Sequence, residues 1–121
     1  MNYLVAGLIG LFGGISSGLF GVGGGVVMVP AMLFCTTLAL RDTQQAVGTS
    51  LLVIIPTALI GALKHKTLGN INWPVALLLV PGAILGGWIG ASLTQGISSE
   101  NLKRVFGGFI ILVGCRLLFW K

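Results

Sequence analysis

The sequence predicts an all-α membrane protein, a multi-pass helical bundle, and three observations carry that expectation. Only 7% of the 121 residues are charged and 55% are hydrophobic, whereas a water-soluble domain carries roughly a quarter charged residues. The stretch Asn2 to Leu40 holds no ionisable side chain except Tyr3 and Cys35, far more than the ~20 apolar residues that span a hydrocarbon core. The chain has twenty glycines, most of them inside the apolar runs, where they would ruin soluble helices but let helix backbones approach closely in lipid.

Five helical pieces are expected, over 3–20, 26–40, 46–63, 73–93 and 105–120, each an apolar run bounded by charge, Gly or Asn. The separators are Gly21 to Gly25, Arg41-Asp42, Lys64-His65-Lys66 with Gly69-Asn70, and Ser98-Ser99-Glu100 with Lys103-Arg104. Tyr3, Trp73 and Trp120 fall at segment ends, where amphipathic rings anchor to headgroups. Ser98 and Ser99 are candidate N-caps for the last helix, with Glu100 beside them. A cleavable leader is not expected, because the start has no basic side chain and the sequence downstream stays apolar.

A continuous helix from Tyr3 to Leu40 would be about 57 Å long, nearly twice the ~30 Å hydrocarbon thickness, so it must turn back. The first two pieces are expected to meet deep in the membrane at the glycine cluster, as a re-entrant hairpin or as two short tilted spans. The N-terminus and Arg41 then share one face, and three crossings follow. Arg41, Lys103 and Arg104 lie on that face, and Lys64, Lys66 and Lys121 on the other, with Arg116 within about one turn of the C-terminal end. So even a distribution gives little orientation preference, and two oppositely inserted copies would reproduce the inverted repeats of many transporters.

Gly10, Gly14 and Gly18, and again Gly82, Gly86 and Gly90, recur every four residues and are assigned to helix packing. The cluster Gly21, Gly23, Gly24 and Gly25 interrupts that period and leaves helix ends in a membrane-buried region. The helix starting near Gly24 presents an electropositive N-terminus, a cradle for an anion; a tight turn satisfied by neighbouring helices is the alternative. Neither a phosphate loop nor a dinucleotide fingerprint is complete here. Ser17, Thr49 and Ser50 can offer hydroxyls to the same cavity, although hydroxyls in lipid commonly cap local carbonyls. These seven residues form the candidate substrate site.

What the sequence lacks narrows the class. Asp42 and Glu100 are the only carboxylates and lie between apolar runs, so a cation site or an intramembrane proton relay has nothing to build on. His65 between two lysines reads as interfacial, and Arg116 as snorkelling. Cys35 and Cys115 lack metal-ligand spacing and read as small buried hydrophobes. No paired carboxylate, Ser/His/Asp set or metal cluster points to an enzyme, a metal or a cofactor. The net charge of +5 suits anionic lipid headgroups better than nucleic acid, since no basic face is formed.

The run Gly14-Ile15-Ser16-Ser17-Gly18-Leu19-Phe20-Gly21-Val22-Gly23-Gly24-Gly25 with Pro30 resembles the signature of the TauE/SafE sulfite exporter family. Ala46-Val47-Gly48-Thr49-Ser50-Leu51, His65 with Gly69 to Trp73, and Leu102 to Gly107 are similar to its later motifs. The resemblance implies a multi-pass inner-membrane transporter for a small sulfur-containing anion: sulfite, thiosulfate or an organosulfonate. Members usually carry two related repeats, whereas this sequence shows one, so it reads as a half-length member completed by a homodimer, parallel or antiparallel. A secondary carrier, a passive anion channel and a non-transporting membrane subunit that packs against a partner stay open as functions.

Overall fold

The computed structural model describes residues 2–35 and 40–120. They form α1 (Tyr3–Phe20), α2 (Gly25–Phe34), α3 (Thr43–Thr67), α4 (Trp73–Leu93), a 3-10 turn at Thr94–Gly96, and α5 (Ser99–Phe119). Among the described residues there is no strand.

The chain turns back where glycine allows it. Helix α1 ends as Gly21 takes a left-handed φ of 66° and its N–H donates to the Ser17 carbonyl. Gly23 and Gly24 follow at φ 73° and 72°, a backbone region that costs other L-residues roughly 1–2 kcal/mol each. This loop folds back along α1, so that Gly24 lies against the Gly13 carbonyl and Met28 against Gly13. On its other side Gly25 packs beside Ser50 and Ile54, about half-way along α3.

Helix α2 therefore begins near mid-depth, and its 10 residues reach about 15 Å, half of a ~30 Å hydrocarbon layer. Two expectations change. Helix α1 does not stop at depth: its last turn is level with the last turn of α3, where a His65 ring nitrogen stands 2.9 Å from the Gly18 carbonyl, so only α2 starts deep. And α2 ends at Phe34, with Leu40 non-helical, instead of running on to 40. A helix starting at mid-depth reaches the face in ten residues, whereas apolarity marks only what lipid accepts. The expected positions 36–39 lie outside the described residues.

Helix α3 starts at Thr43, before the expected 46, because Asp42 accepts the Gln45 N–H at 2.8 Å and Gln45 Oε1 accepts the Arg41 N–H at 2.8 Å, a reciprocal cap. It continues through Lys64-His65-Lys66, which favour a helix C-terminus. It then closes in a Schellman motif, with Asn70 N–H to His65 O, Gly69 N–H to Lys66 O, and Gly69 at φ 74°. Asn72 caps α4 by accepting the Val75 N–H, and Pro74 sits in its first turn. Helix α5 starts at Ser99 instead of 105, since Ser98 caps it and Glu100 pairs with Arg104 one turn on. Those polar turns are helical although they are not apolar.

Helices α1, α2 and α3 pack on one another around Met28, Val29, Ala46 and Ser50. Helices α4 and α5 bury no residue. Helix α5 is tied to the start of α3, where Ser99 Oγ accepts the Thr43 N–H and donates to Thr43 Oγ1, both at 2.8 Å. Gln44 Nε2 donates to the Ile97 carbonyl at 2.7 Å. The outward surface is apolar, with Leu78 and Leu118 each 81% exposed, which suits lipid as the solvent. Helices α1, α3 and the segment Trp73–Gly96 are long and apolar enough to cross a membrane.

The two faces follow from these bonds. Arg41, Asp42, Glu100, Lys103 and Arg104 mark one face. The other carries Lys64, His65 and Lys66, with Lys66 over the Trp73 ring at 5.8 Å and Arg116 over Trp120 at 4.8 Å. Lys121 lies outside the described residues.

His65 links the elements of that second face. Gly18 O can only accept, so His65 Nε2 donates to it, while Nδ1 stands 3.3 Å from Asn70 Nδ2. Substituting leucine for His65 should leave the Gly18 carbonyl without its donor and lower stability by about 1–3 kcal/mol. A thermal unfolding midpoint unchanged by His65→Leu would show that water already serves that carbonyl.

Candidate functional site

The structure divides the seven candidate residues into two groups. Gly25, Thr49 and Ser50 lie together at mid-depth: Ser50 is beside Gly25, and Thr49 and Ser50 line a cavity of about 210 Å³ with Met28, Met32, Leu40 and Val53. Helix α1 closes this cavity through Ala6, Ile9 and Gly10. Ser17 and Gly21 belong to the far end of α1, with Ser17 buried and Gly21 exposed. Gly23 packs on Ile54 of α3, and Gly24 is locked against Gly13.

The chamber is lined mainly by apolar atoms. Its lining includes no carboxylate, and the first turn of α2 leaves N–H groups without intrahelical partners, the positive end of the helix dipole. The hydroxyls are turned to their own helix: Thr49 Oγ1 donates to Gln45 O at 2.7 Å and Ser50 Oγ to Val47 O at 2.8 Å. To donate to a guest, Ser50 must rotate about Cβ–Oγ and give up a bond worth about 1 kcal/mol.

A second cavity, of about 490 Å³, opens at the Arg41 face. Arg41, Asp42, Thr43, Ser99, Glu100 and Lys103 line it, with Met32, Leu33, Cys35 and Leu40 on its inner side. Both carboxylates are engaged there: Glu100 Oε1 accepts from Arg104 at 2.7 Å, and Asp42 accepts the cap bond of α3.

The two glycine rows stand differently. Gly10, Gly14 and Gly18 border an outward groove between α1 and α3 that also takes in Pro56, Gly61 and Lys64. A Cβ at Gly10, Gly18, Gly82, Gly86 or Gly90 would meet nothing within 4 Å, and one at Gly14 only Thr57 at 3.8 Å. Among the described residues the close helix approach is made by Gly13, which sequence reasoning missed because it stands outside the four-residue row. Met28 and Met32, spaced one turn apart on α2, were also missed as cavity walls. Among the described residues no group of His, Cys, Asp or Glu is placed to hold a metal.

Apolar crossings wrapped around a glycine-hinged half-helix define a multi-pass helical membrane protein with a largely apolar chamber at mid-depth, bordered by Thr49 and Ser50. The family model described as sulfite exporter TauE/SafE matches residues 2–121, and the chain belongs to that family. It is 39% identical over 106 residues to the probable membrane transporter protein YunE of Bacillus subtilis, covering 88% of this chain and 38% of YunE. A probable membrane transporter protein of Xylella fastidiosa is 35% identical over 115 residues, 93% of this chain and 42% of that one. One of Haemophilus influenzae is 29% identical over 117 residues, 92% and 44%. The chain thus spans about two fifths of the length of these relatives. No solved structure matches it.

Proposed function

We propose that the chain is the transport unit of a secondary carrier that moves a small sulfur-containing anion, of the sulfite, thiosulfate or organosulfonate class, across the cell's inner membrane. The observation that carries this reading is the start of α2 at mid-depth beside Ser50, an electropositive helix end with no carboxylate in the adjoining chamber. The family's description supports the sulfur oxyanion, and the relatives' names support membrane transport. Gly25, Ser50 and Thr49 would touch the anion; Gly23 and Gly24 set the turn, and Ser17 and Gly21 set the end of α1.

A second copy completes the transporter in this reading, through Gly10, Gly14 and Gly18 and through Gly82, Gly86 and Gly90, whose rows are uncovered within the chain. The even charge on the two faces permits an antiparallel homodimer. The same uncovered α4 favours a second reading, a subunit that packs on a partner and transports nothing itself.

Uptake of radiolabelled sulfite, thiosulfate and a small sulfonate into proteoliposomes of the purified chain separates these. A carrier gives saturable uptake and counterflow, with Ser50→Ala raising KM about tenfold, the equivalent of one lost hydrogen bond to a charged group. Uptake without saturation marks a passive channel, and none of any anion marks the subunit. An Asn70→Cys thiol labelled from one side only would exclude the antiparallel pair.

A further inference from the structure

We propose that Met32, with Leu40 opposite, gates passage between the charged cavity at the Arg41 face and the chamber at mid-depth. The inference rests on the transport reading for its purpose, but not for its geometry. Among the described residues, Met32 and Leu40 are the two that line both cavities. Each therefore presents one flank to Arg41 and Lys103 and the other to Thr49 and Ser50.

The chemistry on the two sides differs in the way an access route requires. Outside stand two cations, with the neighbouring carboxylates already engaged by Arg104 and by the α3 cap. Inside lie Thr49 and Ser50, with the start of α2 standing beside Ser50. Among the described residues the shared wall is the apolar pair Met32 and Leu40, and a narrow apolar constriction stops a hydrated anion by dewetting. Met32 suits a moving part. It sits on α2 one turn beyond Met28, it is half-buried where Met28 is 2% exposed, and its unbranched side chain can swing through staggered rotamers without moving the backbone. Leu40 directly precedes Arg41, whose N–H is bonded to Gln45 Oε1 in the cap of α3, and serves as the facing wall.

The test uses thiol access. In the full chain carrying Cys35→Ser and Cys115→Ser, a Ser50→Cys thiol is exposed to a small anionic methanethiosulfonate added on the Arg41 side. A gate predicts that Met32→Ala speeds its modification by about tenfold and that Met32→Trp slows it by about tenfold, the change made by one rotamer-sized step in barrier height. Leu40→Trp should slow it too, a second route to the result if a Met32 variant fails to fold. With Cys35 kept and Ser50 unchanged, the same variants should alter modification of Cys35, which lines the outer cavity, by less than about twofold, because it lies before the barrier. Modification of the Ser50→Cys thiol that ignores all three substitutions, or that changes in step with Cys35, overturns the gate. Uptake lost with the thiol pattern intact would overturn the transport reading and leave the gate standing.

Discussion

Replacing Gly24 with alanine should abolish accumulation of folded protein, the largest effect expected of any single methyl group in this chain. An added Cβ would stand 2.6 Å from the Gly13 carbonyl oxygen and 3.2 Å from its carbon. Both are backbone atoms that cannot turn aside. The residue also holds φ at 72°, which costs a non-glycine about 1–2 kcal/mol before any clash. Relief requires α1 and α2 to part, exposing Met28 and Val29, each 2% exposed now, against a total stability of only about 5–15 kcal/mol. Two controls set the scale. Gly21 has a similar φ of 66° but open space around it, so Gly21→Ala should cost the dihedral term alone. At Gly13 the new methyl meets only the Met28 side chain, which can swing, so Gly13→Ala should fall between. Yield of monodisperse protein and unfolding midpoints of the three variants would test the order; Gly24→Ala behaving like Gly21→Ala would mean that the loop does not cross α1 so closely.

Ser99→Ala should loosen the junction that holds α5 to the rest of the chain. One hydroxyl serves two groups there, accepting the Thr43 N–H and donating to Thr43 Oγ1, and Thr43 is 2% exposed. Alanine leaves a buried donor without a partner, at about 1–3 kcal/mol, while Ser99→Thr, which keeps the hydroxyl, should lose little. Gln44→Ala removes the neighbouring bond to Ile97. Because the two bonds brace one junction, the double substitution should cost less than the sum of the singles. Equilibrium unfolding in mixed micelles measures all four chains, and strict additivity would show that the bonds act independently.

Much of this architecture is legible in the residues, and the part that is not has a physical reason. Helix α4 occupies the span its apolar run marks, because Asn72 and Pro74 punctuate its start. Helix α5 was cut short because hydropathy registers the lipid-facing stretch, whereas Ser98, Glu100 and Arg104 show that capped polar turns extend a helix beyond it. The glycine rows illustrate a different limit. Spacing reveals which residues share a stripe, but not whether a neighbour covers it: Gly10 and Gly18 have no neighbour within 4 Å of an added Cβ, and Gly13 makes the tight approach. At the candidate site, the Gly-Thr-Ser motif pointed to Thr49 and Ser50 beside the half-helix. Met32 and Leu40 were invisible as walls of two cavities, since apolar residues in an apolar run carry no local signal.

The half-helix also fixes the parity of the path through the bilayer. Helix α1 crosses, and α2 returns the chain to the face it left. Helices α3 and α4 are long and apolar enough to cross in turn, and with α5 counted as the third crossing Tyr3 and Trp120 fall on opposite sides. A unit of odd parity joined head to tail with its own duplicate inverts that duplicate without any further change, whereas one more or one fewer crossing would keep both copies upright. Doubling this unit within a single polypeptide would therefore generate antiparallel symmetry by counting alone.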